Sequence, residues 1–104
     1  MTIIHAHALA GLQQVPAESV NTCITSPPYF ALRDYGTLPV KWPRMRYKPM
    51  PGVRDIALPA WKGEMGQEPT LEMFIGHVVD IFRAVRRTLR PDGTLWVNMG
   101  DSYA

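Results

Sequence analysis

A helical repeat of apolar residues in the last third of the chain constrains the fold most. From Leu71 to Leu89, apolar residues recur at steps of three and four, the period of a helix with one buried face. Thr70 can cap the first turn, and the proline-aspartate-glycine turn at 91–93 ends the run. The spacing therefore predicts one long helix over about residues 70–90.

Runs of β-prone residues stand on both sides of this helix. Residues 20–25 read VNTCIT without strict polar alternation, as expected for a strand covered on both faces, and residues 94–98 read TLWVN. A β-prone run at 2–5 and a helix-prone run at 8–14 come first. Strands that alternate with helices predict an α/β fold with a parallel sheet, in which the long helix is a right-handed crossover.

The segment before the long helix shows neither the helical repeat nor the alternation of a strand. Residues 36–69 hold six of the ten prolines and four of the eight glycines, so we predict an irregular, proline-rich insert there. Six basic and two acidic residues fall within 37–66, although the whole chain carries a formal charge of only +2. A basic segment that also contains tryptophan indicates either an anionic partner or a solvated loop, and the sequence leaves both open.

A turn of distinctive chemistry follows the run at 20–25. Ser26, Pro27, Pro28 and Tyr29 stand where α/β sheets bind their ligands, at the carboxyl end of a strand. Because prolines lack an N–H, the backbone here can only accept hydrogen bonds, and the Ser26 hydroxyl is a further acceptor. Such a turn suits an –NH₂ group on a planar ring, with Tyr29 as a stacking face. A turn that merely ends the strand is the alternative.

Five stretches resemble one enzyme family in their order and spacing. They are VNTCITSPPY at 20–29, LRDYG at 32–36, GQEPT at 66–70, VRRTLRPDGTLWVN at 85–98 and MGDSY at 99–103. Together they resemble the amino-group DNA methyltransferases, which methylate N4 of cytosine or N6 of adenine, in the arrangement that has the amine-binding motif first. The resemblance implies a Rossmann-like, S-adenosylmethionine-dependent methyltransferase fold, with residues 1–104 as a partial catalytic domain.

The resemblance also implies roles for the turn. Ser26 and the carbonyl of Pro27 would bond the target amine, Pro28 would shape the turn, and Tyr29 would stack on a base flipped out of double-stranded DNA. The methyl group would pass directly from S-adenosylmethionine to the amine nitrogen. Because the adenine enzymes more often carry Asp where Ser26 stands, N4 of cytosine is the expected target rather than N6 of adenine.

Residues outside the turn are weaker candidates. DNA backbone contacts are expected from Lys41, Arg44, Arg46 and Lys48, with a solvated loop as the alternative. Asp101 could contact the methyl donor or serve in a turn.

The histidines and the single cysteine suggest structural roles. His7 stands where the family often has Asp, and we interpret it as a surface histidine. We interpret His77 as structural and Cys23 as a small core residue. Their scattered positions give no zinc-binding spacing, so no metal is expected.

The glycine-rich donor motif of the family is not found, since no two glycines of the chain stand two residues apart. We therefore expect the chain to be roughly the first third of such an enzyme and to need the rest of it for activity. A truncated, inactive remnant that still binds DNA is the alternative. A relative that methylates a free or protein-linked amine is a more distant one.

Compartment and membrane association follow from simple patterns. No apolar run approaches the roughly 20 residues of a membrane-spanning helix, and the first residues do not resemble a signal peptide. One cysteine cannot form an internal disulfide, which fits a reducing compartment. We therefore expect a cytoplasmic protein without a membrane partner.

Overall fold

The computed structural model describes residues 1–31, 36 and 38–100. The elements are α1 (Ala8–Gln13), β1 (Val20–Thr25), β2 (Val40–Trp42), β3 (Met45–Tyr47), β4 (Ile56–Leu58), β5 (Trp61–Gly63), α2 (Leu71–Thr88) and β6 (Leu89–Val97). They belong to two compact units. The first contains Met1–Pro27 and Asp80–Asn98, and the second contains Pro28–Val79 with Met99 and Gly100.

A parallel pair of strands forms the sheet of the first unit. β1 pairs with β6, so that Cys23 lies opposite Leu95 and Thr25 opposite Val97. The ladder continues by one residue, because the Asn98 amide donates to the Thr25 carbonyl at 3.0 Å. The predicted parallel pairing of these two runs is confirmed. With α2 between the two strands in the chain, this is an α/β arrangement.

Two strand predictions in the first unit need correction. β6 begins at Leu89 rather than near residue 94. Val20 pairs with Leu89 and Thr22 with Thr94, so the predicted turn at 91–93 lies within β6, where the register of the pairing shifts. The strand predicted at 2–5 is wrong: these residues have no regular structure, and their side chains are exposed. Within the described residues, the sheet consists of β1 and β6, and neither strand pairs with the run at 2–5.

The short helix α1 is held by one arginine of α2. The Arg87 guanidinium donates from one nitrogen to the carbonyl of Leu12 at 2.6 Å and to that of Val15 at 2.8 Å. The Leu12 carbonyl also accepts from the Val15 amide at 3.1 Å, so Arg87 adds a second donor there and joins the end of α1 to α2. At the other end of α1, the His7 side chain accepts from the Leu9 amide at 3.4 Å and acts as the N-cap. His7 is also half-buried, so its interpretation as a surface histidine needs correction.

The long helix α2 confirms the periodic pattern to within about two residues at each end. The Thr70 hydroxyl accepts from the Met73 amide at 3.2 Å, so the predicted cap forms. In the second unit, α2 buries Met73, Phe74, His77 and Val78. In the described part of the chain, no helix is apolar enough over sufficient length to span a bilayer.

The insert at 36–69 is more regular than its proline content predicts. Two antiparallel ribbons form there, β2 with β5 and β3 with β4. The prolines lie outside the strands, and each strand is three residues long, which is too short to show a period in the sequence. The β3–β4 ribbon packs on α2 through a buried cluster that consists of Tyr47 of β3, Leu58 of β4 and Met73 of α2. The prediction of an irregular insert is therefore wrong for these four strands.

Candidate functional site

The turn at 26–29 begins directly after the last residue of β1. Ser26 is exposed, whereas Pro27, Pro28 and Tyr29 are half-buried. Among the described residues, none donates a hydrogen bond to the Ser26 hydroxyl or to the Pro27 carbonyl. Both oxygens are therefore available to a ligand. Ser26 and Pro27 belong to the first unit, and Pro28 and Tyr29 belong to the second.

The ring of Tyr29 packs against a glycine that follows β6. A Cβ atom placed on Gly100 would lie 2.2 Å from Cε2 and 2.5 Å from Cδ2 of Tyr29. Real Cβ atoms do not approach ring carbons so closely, so the ring occupies space that only glycine leaves open. Gly100 lies in the MGDSY stretch that resembles the family, but nothing in the sequence pattern assigns it a role. A glycine so near Tyr29 could be recognised only once the two segments were seen together.

A second glycine supports the backbone of the turn. The carbonyl of Gly66 accepts from the Ala31 amide at 2.8 Å, and a Cβ on Gly66 would lie 3.2 Å from the Tyr29 carbonyl oxygen. Gly66 has a φ of +101° and Ala31 one of +56°. The first value favours glycine strongly, because side chains rarely adopt this region. The loop at Gly66 thus packs closely on the backbone that carries Tyr29.

A buried carboxylate holds the Gly66 loop in place. Glu68 accepts from the Gly66 amide at 2.7 Å through Oε1, and its Oε2 lies 2.7 Å from Nδ1 of His77. The His77 ring stacks on Trp42 at 3.9 Å between ring centres and lies 5.9 Å from the ring of Trp61. A structural role for His77 fits this buried position. No sequence pattern marks Glu68 as buried, although the GQEPT stretch contains it.

The basic candidates differ in what they contact. Lys41, Arg44, Arg46 and Lys48 are all exposed. Lys48 is engaged locally, because its Nζ lies 3.4 Å from the Asp55 carboxylate and donates to the Val53 carbonyl at 3.2 Å. Arg44 and Arg46 line a shallow cavity of about 360 Å³. Lys41 lies in β2 and makes no ion pair with a described residue.

The remaining candidates carry less. Asp101 lies outside the described residues. Cys23 is a free thiol in β1 and is half-buried rather than part of the buried core that its interpretation as a core residue predicts. Within residues 1–31, 36 and 38–100, no group of three potential metal-binding side chains comes together.

Comparison with known proteins gave matches over most of the chain. A family model described as DNA methylase, for the N6 and N4 methyltransferases, matches residues 20–104. The type II methyltransferase M.SmaI of Serratia marcescens is 38% identical over 101 residues, which are 97% of this chain and 26% of that protein. M.XycI of Xanthomonas campestris pv. cyanopsidis is 35% identical over 98% of this chain and 26% of its own length. No solved structure matches.

A larger relative gives a similar result. The type II methyltransferase M.SfiI of Streptomyces fimbriatus is 35% identical over 92 residues, which are 88% of this chain and 16% of that protein. The chain thus spans about a quarter or less of the length of these relatives.

Proposed function

We propose, from the premise that this chain belongs to the DNA methylase family of N6 and N4 methyltransferases, that it is the base-binding part of a site-specific DNA methyltransferase. In this proposal the turn at 26–29 receives the exocyclic amine of a base flipped out of double-stranded DNA. The observation that carries it is the pair of oxygens on Ser26 and Pro27, which directly follow β1 and accept no hydrogen bond from the described residues.

The chemistry of the turn supports this role. The Ser26 hydroxyl and the Pro27 carbonyl can accept the two protons of an –NH₂ group, and the nitrogen lone pair is then directed away from both oxygens. The same two oxygens would stabilise positive charge that develops on this nitrogen during methyl transfer. Tyr29 offers a ring face for the base, and Gly100 and Gly66 limit where that ring can lie.

The described residues do not make up a site for the methyl donor. S-adenosylmethionine supplies a methyl group on a sulfonium centre when it is bound. The segments that follow the parallel strands, 26–31 and 98–100, contain no carboxylate that could hold ribose hydroxyls, and the chain contains no Gly-x-Gly sequence. We therefore assign no donor-binding residue here and propose that residues outside the described part of this chain hold the donor.

Ser26 favours N4 of cytosine over N6 of adenine as the methylated atom. A neutral hydroxyl is a weaker acceptor than the carboxylate that is more common in the adenine enzymes, because charge-assisted hydrogen bonds are about twice as strong. Both bases present an –NH₂ next to a ring nitrogen, so the preference rests on this one residue.

The test uses the protein at its natural full length, duplex DNA and labelled S-adenosylmethionine, with mass analysis of the nucleosides. We expect N4-methylcytosine. Ser26→Ala should lower the rate roughly ten- to hundredfold, whereas Ser26→Thr keeps the hydroxyl and should retain more activity. N6-methyladenine as the sole product would refute the base assignment.

The stacking role of Tyr29 is tested in the same assay. Tyr29→Ala should remove about 1–3 kcal/mol of base stacking, and Tyr29→Phe, which keeps the ring, should not. Transfer that is unaffected by both Ser26→Ala and Tyr29→Ala would remove the turn from the mechanism. A full-length protein that binds DNA and transfers no methyl group would instead support an inactive DNA-binding remnant.

A further inference from the structure

Two lysines of like charge lie directly opposite each other in the β2–β5 ribbon. Lys41 pairs in register with Lys62, which places their side chains on the same face of the ribbon. Both are exposed, and neither makes an ion pair with a described residue. Like charges directly opposite across two strands destabilise the pairing. The ribbon therefore carries two lysines on one face, in register, and no described acidic residue forms an ion pair with either of them.

The opposite face of the ribbon is firmly anchored. Trp42 pairs in register with Trp61, and Trp42 is only 2% exposed. Both rings stack on His77, whose Nδ1 contacts the buried Glu68 carboxylate. Because neighbouring residues of a strand point to opposite faces, the buried Trp42 and the half-buried Trp61 place both lysines on the solvent face. A rotation of the ribbon that separated the lysines from this face would expose the buried Trp42.

We propose that Lys41 and Lys62 form a two-point binding site for one phosphate group of the DNA backbone. A single phosphate between the two ammonium groups receives a charge-assisted hydrogen bond from each and replaces their repulsion by attraction. DNA as the source of that phosphate rests on the proposed function, whereas the phosphate site itself rests on the ribbon. The site adds Lys62 to the sequence-based candidates and leaves out Lys48, which already contacts Asp55.

The phosphate site is tested first without DNA. The melting temperature of the protein is measured in phosphate and in chloride at equal ionic strength, for the wild type and for Lys41→Gln, Lys62→Gln and Lys48→Gln. We expect phosphate to stabilise the wild type and Lys48→Gln but not the other two variants. In chloride, Lys62→Gln should melt at or above the wild-type temperature, since it removes a repulsion. Equal phosphate effects in all four proteins would overturn the site.

Duplex DNA then tests the source of the phosphate. Lys41→Gln and Lys62→Gln should each weaken DNA binding roughly tenfold at low salt, and Lys48→Gln should change it little. In the double variant, the slope of the logarithm of the DNA-binding constant against log[salt] should fall in magnitude by about 0.9, the value for one phosphate contact. A fall of about 1.8 would indicate two phosphates and would contradict a shared site. Unchanged DNA affinity beside a lost phosphate effect would refute DNA as the source.

The two proposals fail in different ways. In one outcome, the full-length protein methylates DNA with an affinity and a rate that neither lysine variant changes. That result would refute the lysine site and leave the proposed function intact. A phosphate effect that depends on both lysines, in a protein that neither binds nor methylates duplex DNA, would refute the proposed function.

Discussion

Nδ1 of His77 lies 2.7 Å from Oε2 of Glu68, and both side chains are fully buried. The other oxygen of the same carboxylate accepts the Gly66 amide, so one buried group joins helix α2 to the loop that packs on the Tyr29 backbone. Within the described residues, Glu68 is the one acidic side chain that is buried, and both of its oxygens have a partner.

Removing that carboxylate should destabilise the protein strongly. Glu68→Ala leaves the Gly66 amide and Nδ1 of His77 without their shared partner, and we expect a loss of about 3 kcal/mol in the free energy of unfolding by urea denaturation. The matched control is Asp55→Ala, which breaks an exposed ion pair with Lys48 and should cost less than about 1 kcal/mol. Equal losses in the two variants would mean that the buried contacts of Glu68 are not important for stability.

A methyl group on Gly100 should displace the Tyr29 ring. Gly100→Ala places a Cβ 2.2 Å from the ring, so the ring must move, and we expect methyl transfer by the full-length protein to fall at least as far as in Tyr29→Ala. Gly52→Ala is the control, because Gly52 has a φ of +82° but no atom within 4 Å of the added Cβ. It should cost about 1 kcal/mol of stability through backbone strain and leave transfer unchanged. Wild-type transfer by Gly100→Ala would contradict the packing role.

Arg87 should matter far more than its neighbour Arg86. Arg87→Ala removes the donor to the Leu12 and Val15 carbonyls, and we expect faster hydrogen exchange in α1 and a loss of about 1–3 kcal/mol in stability. Arg86→Ala removes the same charge from the last turn of α2 without those two bonds and serves as the control. If exchange in α1 rises equally in both variants, helix-dipole effects rather than these hydrogen bonds hold α1.

Alkaline pH should destabilise the protein through Tyr47. Burial, and to a smaller extent the Glu72 carboxylate, raise the pKa of the Tyr47 phenol above its usual value of 10.0. The folded state thus favours the protonated phenol, and this contribution to stability is fully present below pH 10 and is lost as the pH rises through the folded-state pKa.

The test compares wild type and Tyr47→Phe by denaturation between pH 8 and pH 12. Near pH 8 the variant should be less stable by about 1 kcal/mol, because the hydroxyl donates to the Glu72 carbonyl at 3.3 Å. Above pH 10 the difference should shrink or change sign. A difference that stays constant over the whole range would contradict the buried, protonated phenol.

Local patterns in the sequence were sufficient for α2, β1 and the parallel pairing of β1 with β6. The helical period of α2 extends over several turns, and its Thr70 cap needs only residues three apart. The acceptor chemistry of the turn at 26–29 is also local, since it follows from two prolines and a serine in sequence. The family resemblance rested on the same stretches, and the matching family model confirms it.

The supporting contacts were decided only by tertiary structure. Residues 2–5 form no strand despite their β propensity, because they pair with no described strand. In the proline-rich insert, four three-residue strands form because each pairs with another strand. Tyr29 and Gly100 are far apart in the chain, and so are Lys41 and Lys62. Propensity and period describe neighbours along the chain, but burial, close approach and charge repulsion depend on which distant residues the fold brings together.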